Sequence, residues 1–369
     1  MFDTITWILL CLALLYLGYV IAEKFIIEKR RKKLKMVVHV NGIRGKSTVT
    51  RMIDAGIRGC GYKVFSKTTG TLPMTIDTNN NATVIKRLGP ANIREQKKAM
   101  GWAVKQGAEV LVVECMAVNP ELQYICEHRI LNSDVVVVTN VRSDHLDEMG
   151  NDLKSIAYSL ANTVPQKGTL VLGDGTFVDV FNEVAQKTSA TVTVASGSYD
   201  AKGFDTFAEN LATAMQVCKV LGLDEQAFFD GMKNYLRDPG ALRDYKIGDT
   251  TFINGFSVND PDSTLSVYDH ICTHYPAEEM TVLLNTRPDR PFRIKQHIDM
   301  ITKMKCKKVL ICGSNQDYVA RQLSQLGVQT YKITKVEDLL TEKYVFGCGN
   351  IAHLGMQIVD YFKNNGETL

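Results

Sequence analysis

Between Asn41 and Thr48 the chain reads NGIRGKST, with Gly42 and Gly45 set apart by Ile43 and Arg44, and Lys46 and Ser47 directly behind. Glycines let a backbone curl so that successive N–H groups converge on phosphate oxygens, and a helix starting at this point adds unpaired donors of its own. The lysine of such a loop reaches the outer phosphates, and the hydroxyl of Ser47 suits a Mg²⁺ ion. Val40 stands where the longer GxxxxGK[ST] form has its first glycine. The bland alternative is a tight turn before a helix. Against it stands the run MVVHV (Met36 to Val40), which reads as a buried strand feeding the loop. Residues 41–48 are therefore expected to hold a nucleoside triphosphate.

Phosphate binding alone does not choose between a motor, a kinase and a ligase. Two further groups narrow the chemistry. Glu114 closes the run AEVLVVE, and Asp144-His145 follow SDVVVVTN. If these runs are strands of one parallel sheet, their ends share an edge with Lys46, where ligands gather in open α/β folds. A carboxylate and an imidazole beside a serine-bound Mg²⁺ could hold a second ion, which would neutralise charge growing on a transferred phosphoryl group. The competing readings are an ordinary surface carboxylate for Glu114 and a structural histidine for His145.

The elements that must position these residues follow from the hydrophobic pattern. Apolar runs without alternation fit a parallel sheet covered on both faces. STVTRMIDAGI, REQKKAMGWAVKQG and LKSIAYSLANTV supply covering helices, and GTLVLGD and ATVTVAS supply further strands. DTNNNATV reads as a surface loop, and a long helical region is expected from about Phe204 to Leu236. RDPGALRDY breaks it with proline and glycine, and the domain junction is placed there. Strand and helix then alternate again through TFINGF, STLSVYDHI, MTVLLN, KKVLICG and KYVFGCG. The expected fold is α/β: a P-loop NTPase-like central domain with a mainly parallel sheet, then a second, smaller α/β domain.

At 369 residues and 45% hydrophobic composition the chain can bury two cores. Its net charge of +3 is too small to argue for nucleic acid. Residues Ile5 to Ala22 are uncharged and mostly apolar, long enough as a helix to span about 27 Å. Lys29, Arg30, Arg31, Lys32, Lys33 and Lys35 follow, whereas a cleaved signal would carry its basic residues ahead of the apolar stretch. The expectation is a single retained transmembrane helix with its amino terminus outside and the rest cytoplasmic. A buried helix and a membrane-surface helix are the alternatives. Nine cysteines scattered without a CxxC pair suit reduced thiols in a cytoplasmic compartment. HICTH does not read as a zinc site, because on a helix Cys272 points away from the face of His270 and His274.

Taken together, GIRGKST, Glu114 in VVECMAVNP, TNVRSDHLD, RDPGALR and NGFSVNDPDST resemble, in this order, the signature series of the Mur ligase superfamily. More closely, NGIRGKSTVTR, KTTGT, GPANIREQ and ECMAVNP behind an apolar helix resemble the PgsB/CapB family, the ligase subunits of poly-γ-glutamate synthases. The resemblance covers essentially the whole chain. It implies an amide ligase in which ATP phosphorylates a carboxylate to an acyl phosphate and an amine then displaces phosphate. Lys46 would contact the β- and γ-phosphates, Ser47 the first Mg²⁺, and Glu114 with His145 the second; Mn²⁺ is an alternative ion. Asn259 would lie near the adenine, Arg243 would orient phosphates as domains close around RDPGALR, and Asp289 or Arg290 would serve the ribose and phosphates. Thr68, Thr69, Gly70 and Thr71 would form a loop near nucleotide and acceptor. The implied divisions are an anchor at 1–22, a basic juxtamembrane segment at 23–35, an ATP-binding Mur-ligase-like domain at 36–243 and a Mur-ligase-C-terminal-like domain at 244–369. The implied partners are glutamate, the growing polymer, membrane subunits of a synthase and export complex, and further copies of the chain, with no nucleic acid and no zinc.

Two departures bear on the substrate and the metal. Cell-wall Mur enzymes carry a separate amino-terminal domain for a UDP-linked substrate, and the short stretch between apolar helix and first strand leaves no room for it here. Many also carry a carbamylated lysine further along after the metal histidine. That place holds Ser159 or a neighbour, with Lys154 about one helical turn too early. RPDRPFRIK and KRLGPANIREQKK offer basic residues for an acidic polymer, or are solvated surfaces. The rival readings are a folate-type polyglutamylase or another acid–amino acid ligase, and a membrane-tethered regulatory NTPase or assembly factor.

Overall fold

The computed structural model describes residues 4–369 apart from 71, 88, 90, 145, 200–203, 205, 239–241, 257, 259, 260, 288–292, 305 and 307. The chain divides into two units, Met1–Arg237 and Asp238–Leu369.

In the first unit, strands β1 (Met36–Asn41), β2 (Val64–Thr68), β3 (Met74–Ile76), β4 (Ala82–Val84), β5 (Val110–Glu114), β6 (Val135–Val138), β7 (Thr169–Leu172) and β8 (Thr191–Val194) form one sheet in the order β4-β3-β2-β5-β1-β6-β7-β8. The strands from β2 to β8 in that order run parallel, and β3 and β4 add an antiparallel hairpin at the edge. The helices are α1 (Thr4–Arg31), α2 (Lys46–Gly59), α3 (Arg94–Lys105), α4 (Pro120–Ile125) with a π-helical turn at Cys126–Leu131, α5 (Leu146–Met149), α6 (Leu153–Ala161), α7 (Val178–Thr188), α8 (Ala208–Val220) and α9 (Glu225–Met232).

Unbroken apolar runs form this sheet because both its faces are covered. Val38, Val40, Val110, Val112, Val135 and Val137 pack with residues of α2, α8 and α9, while Val136, Val138, Leu170 and Leu172 pack with residues of α6 and α7. Strand order reverses around β1, which lies between β5 and β6, so a crevice opens beyond the carboxyl ends of these strands. The helical region expected from Phe204 to Leu236 is two helices, because the chain turns at Gly222 (φ 63°) and Asp224 caps α9 through Ala227 N–H. The asparagine-rich stretch, expected as a loop, is the turn and exposed outer strand of the β3–β4 hairpin, with Asp77 accepting from Asn79 and Asn81.

The helix α1 is long and apolar enough to cross a membrane, and its apolar stretch is exposed. Its other end is part of the folded unit. Ile27 and the following Leu34 are buried among Ala99, Met100, Ala103, Ile130 and Leu131. Arg31 binds Asp134 at 2.7 Å and Asn132 O at 2.9 Å, and Glu23 pairs with Lys97 of α3 at 2.8 Å.

The second unit carries β9 (Asp244–Ile247), β10 (Thr250–Asn254), β11 (Met280–Thr286), β12 (Lys308–Gly313), β13 (Gln329–Lys332), β14 (Tyr344–Gly349) and β15 (Glu367–Thr368) in the order β13-β12-β11-β14-β10-β9-β15. Strands β13 to β10 run parallel, while β9 and β15 are antiparallel. Its helices are α10 (Pro261–Ile271), α11 (Arg293–Lys303), α12 (Gln316–Gln325) and α13 (Leu354–Asn365). Two apolar clusters, one around Val282, Leu284 and Ile301 and one around Leu283, Leu310 and Phe362, cover the two faces of its sheet.

A histidine and a glutamate are buried together beneath the first sheet. His39 of β1 is wholly buried, and its Nδ1 lies 2.9 Å from Glu127 Oε2, which also accepts from Ser133 Oγ at 2.8 Å. Burial by itself would lower the pKa of this imidazole, but Cys115 and Glu127 outweigh burial and push it up to about 10. A folded-state pKa above the unfolded value of 6.5 means that the His39–Glu127 contribution is complete below pH 6.5 and is lost as pH rises towards 10. Urea denaturation of the wild type is expected to show falling stability across that window, and Glu127→Gln is expected to be destabilised at low pH and to show a shallower slope.

Candidate functional site

The residues from Gly42 to Gly45 turn the chain from the end of β1 into α2, and both glycines have positive φ, 121° and 76°. A side chain at either would collide: a Cβ on Gly42 would lie 2.2 Å from Thr139 Oγ1, and one on Gly45 2.5 Å from Asn210 Oδ1. The loop is braced from behind by residues following β6. Thr139 Oγ1 donates to Arg44 O at 2.6 Å, Asn140 Oδ1 accepts Arg44 N–H at 3.0 Å, and Asn140 O accepts Ile43 N–H at 3.2 Å. The guanidinium of Arg44 pairs with Asp144 at 3.0 Å. The side chains of Asn41 and Ile43 turn inward instead. Asn41 donates to Gln123 and Thr163, and Ile43 joins the apolar cluster of α6.

Lys46 opens α2 and folds its ammonium back onto Gly42 O at 2.7 Å and Ile43 O at 3.3 Å. Desolvation holds it below the ordinary lysine range, against the pull of Glu114. Ser47 donates to Glu114 Oε2 at 2.8 Å, and Thr69 N–H reaches the same oxygen at 2.6 Å. Strand register explains the meeting: Val40 pairs with Glu114, and Lys67, two residues before Thr69, pairs with Val113. Thr68 is buried and accepts from Arg51, while Thr48 is half-buried on α2 and Gly70 is exposed.

Two oxygen donors at 2.8 Å, one an ionisable carboxylate with 2% exposure, make a fitting pair for a hard divalent cation such as Mg²⁺ or Mn²⁺. Among the described residues no group of three or more His, Cys, Asp or Glu side chains converges to add further ligands. His145, Thr71, Asn259, Asp289 and Arg290 lie outside the described residues. Arg243 belongs to the second unit, where its carbonyl accepts Asn254 N–H at 2.7 Å. Ser159, at the place where a lysine stands in many Mur enzymes, is buried and accepts from Gln123, so it joins the network of Asn41. The residues that sequence reasoning overlooked are those behind the site: Thr139, Asn140, Lys67, Glu95 and Gln96. Thr139 and Asn140 directly follow an apolar run, and Lys67, Glu95 and Gln96 lie within KTTGT and GPANIREQ, so each had a usable signal in the sequence.

Residues 40–226 match the Mur ligase middle domain, and residues 241–365 match the C-terminal domain of the poly-gamma-glutamate synthase CapB. The chain is 32% identical over 373 residues to the PGA synthase CapB of Bacillus subtilis (strain 168), covering 94% of both chains. It is 32% identical over 368 residues to the capsule biosynthesis protein CapB of Bacillus anthracis, covering 93% of this chain and 79% of that one. Its fold matches the Mycobacterium tuberculosis folylpolyglutamate synthase complexed with ADP and AMPPCP, with a TM-score of 0.69 and 15% identity over 99% of this chain and 100% of that one.

Because a methyl group at position 42 has no room beside Thr139, Gly42→Ala is expected to weaken binding of a fluorescent ATP analogue by about tenfold or more while the far-ultraviolet circular dichroism stays native.

Proposed function

The chain belongs to the Mur ligase superfamily and, within it, to the CapB family of poly-γ-glutamate synthases, and on that premise we propose the reaction its loop serves. It is an ATP-dependent amide ligase: the terminal carboxylate of a glutamate chain takes the γ-phosphoryl group of ATP to become an acyl phosphate, and the amine of glutamate displaces phosphate to form a γ-amide. ADP and phosphate leave. The observation that carries this reading is the convergence of Lys46, Ser47 and Glu114 at one sheet edge, in a chain of this family.

The physical obstacle is repulsion between the acceptor carboxylate and the triphosphate. Lys46 and the loop N–H groups place positive charge and dipoles at the phosphates, and alignment of the two reactants supplies much of the remaining acceleration. Ser47 and Glu114 would hold a divalent ion, which would supply neutralisation of phosphate charge. By resemblance, His145 joins Glu114 on a second ion, Asn259 lies at the adenine, Arg243 faces the phosphates, and Asp289 or Arg290 serves the ribose. The loop at 68–71 faces the acceptor. Exclusion of water matters because an acyl phosphate otherwise hydrolyses.

The anchor belongs to the same proposal: α1 spans the membrane once, with its amino terminus outside and both units cytoplasmic. Supporting it are the basic residues after Ala22 and the docking of Ile27 and Arg31 into the first unit. A removable signal sequence is the second reading of the same apolar stretch. A polymer too highly charged to cross lipid unaided favours synthesis beside membrane subunits of an export complex.

Membranes containing the chain are expected to incorporate labelled glutamate with ATP, and Lys46→Ala to lower that rate by about a hundredfold without loss of fold. Phosphate release that proceeds equally well without any carboxylate acceptor would instead indicate a nucleotide switch. For the anchor, mass spectrometry of the membrane-extracted protein is expected to recover peptides from residues 4–22; a mature chain starting beyond Ala22 would favour the signal sequence.

A further inference from the structure

Lys67 stands next to the last residue of β2 with its side chain wholly inaccessible, in register with Val113, the residue before Glu114. Its ammonium lies 3.4 Å from Glu95 Oε2 and 3.8 Å from Met116 Sδ. That carboxylate is shared. Arg87 binds both of its oxygens, through Nε at 2.7 Å and a terminal nitrogen at 3.0 Å. Two cations therefore divide one carboxylate, and one positive charge is left over. Burial pulls Lys67 below the ordinary lysine range, and Glu95 and Glu114 oppose that pull.

The cluster is fastened to Glu114 by two routes. Gln96, next to Glu95 on α3, donates to Glu114 O at 2.9 Å. Two residues beyond Lys67, Thr69 N–H binds Glu114 Oε2 at 2.6 Å. Hydrogen bonds thus tie both ends of the cluster to Glu114, and the spare charge acts on its carboxylate through an interior where charges are weakly screened. On the loop side stands Lys46, whereas Arg44 is balanced by Asp144. A bare divalent cation approaching Ser47 and Glu114 meets one carboxylate with excess positive charge on two sides. Nucleotide phosphates reverse that balance, since they add several negative charges in front of the same pair.

We propose that the Lys67–Glu95–Arg87 cluster is an electrostatic guard on Glu114 that keeps divalent cations from the Ser47–Glu114 pair until nucleotide phosphates arrive, so that metal enters with the nucleotide. Lys67 is then a positioning residue that acts through Glu114. The inference rests on reading Ser47 and Glu114 as the metal-holding pair, and its test separates the two claims.

Mn²⁺ binding to the full chain in nanodiscs, followed by electron paramagnetic resonance, reads the guard directly with and without AMPPNP. Lys67→Met keeps the shape and removes the charge, and is expected to bind Mn²⁺ about tenfold more tightly than wild type in the absence of nucleotide. Lys67→Arg keeps the charge and is expected to match the wild type. With AMPPNP present the difference between Lys67→Met and wild type shrinks. Unchanged or weaker nucleotide-free binding in a folded Lys67→Met overturns the proposal, as does equal tightening in Lys67→Met and Lys67→Arg, which would mark a steric effect. If Lys67→Met fails to fold, Arg87→Leu removes the same spare charge from a partly exposed position, and no tightening there overturns it equally. Glu114→Gln tests the underlying reading: Mn²⁺ binding that survives it removes the metal pair and the guard with it, whereas its loss leaves the Lys67 variants to decide.

Discussion

The first unit turns on one oxygen atom. Glu114 Oε2 receives the hydroxyl of Ser47 and the backbone N–H of Thr69, and so joins the start of α2, the end of β5 and the loop after β2. These segments are far apart in the chain and meet only because β1 and β2 flank β5 in parallel. A carboxylate with 2% exposure is costly to bury unless its oxygens find donors, and these two supply them. The same donors leave the side chain facing the glycine loop, which is where a cation bound to phosphate would need it.

Helix α3 connects this point to the apolar helix. Along one side it meets α1 through the Lys97–Glu23 pair, and the guanidinium of Arg30 lies against Gly101. In its first turn Glu95 engages Lys67 and Arg87, and Gln96 holds the backbone of Glu114. Few side chains therefore separate the long apolar helix from the glycine loop and Glu114. The buried Ile27 makes the last turns of α1 a part of the core, so the long helix and the nucleotide unit form one packed body at that point.

What could be read in the sequence was local or periodic. The loop was legible because glycine, lysine and serine act through their spacing along the backbone, and the strands because runs such as VVVV are incompatible with a solvated face. Glu114 stood out as a charge ending such a run. Lys67 stood only inside the motif KTTGT with no role of its own, because its burial depends on Glu95 and Arg87, which come from another part of the chain. His39 was passed over inside MVVHV for the same reason: its partner Glu127 lies in a π-helical turn that no periodicity announced. The helical stretch before the second unit was read as continuous because its apolar residues continue past Gly222, whereas the left-handed turn there ends α8.

By itself the sequence determined that a strand, a glycine turn and a helix follow one another at residues 36–59, that the sheet is mainly parallel, and that a long apolar helix comes first, since each depends on neighbours within a few turns of chain. Only the tertiary structure decided which oxygen Ser47 meets, which cations share Glu95, and that Asn41 serves the interior while Arg44 pairs with Asp144. Those outcomes depend on strand order and register, which bring distant side chains within hydrogen-bonding distance. A buried charge takes its meaning from such partners, and no pattern along a single chain can name them.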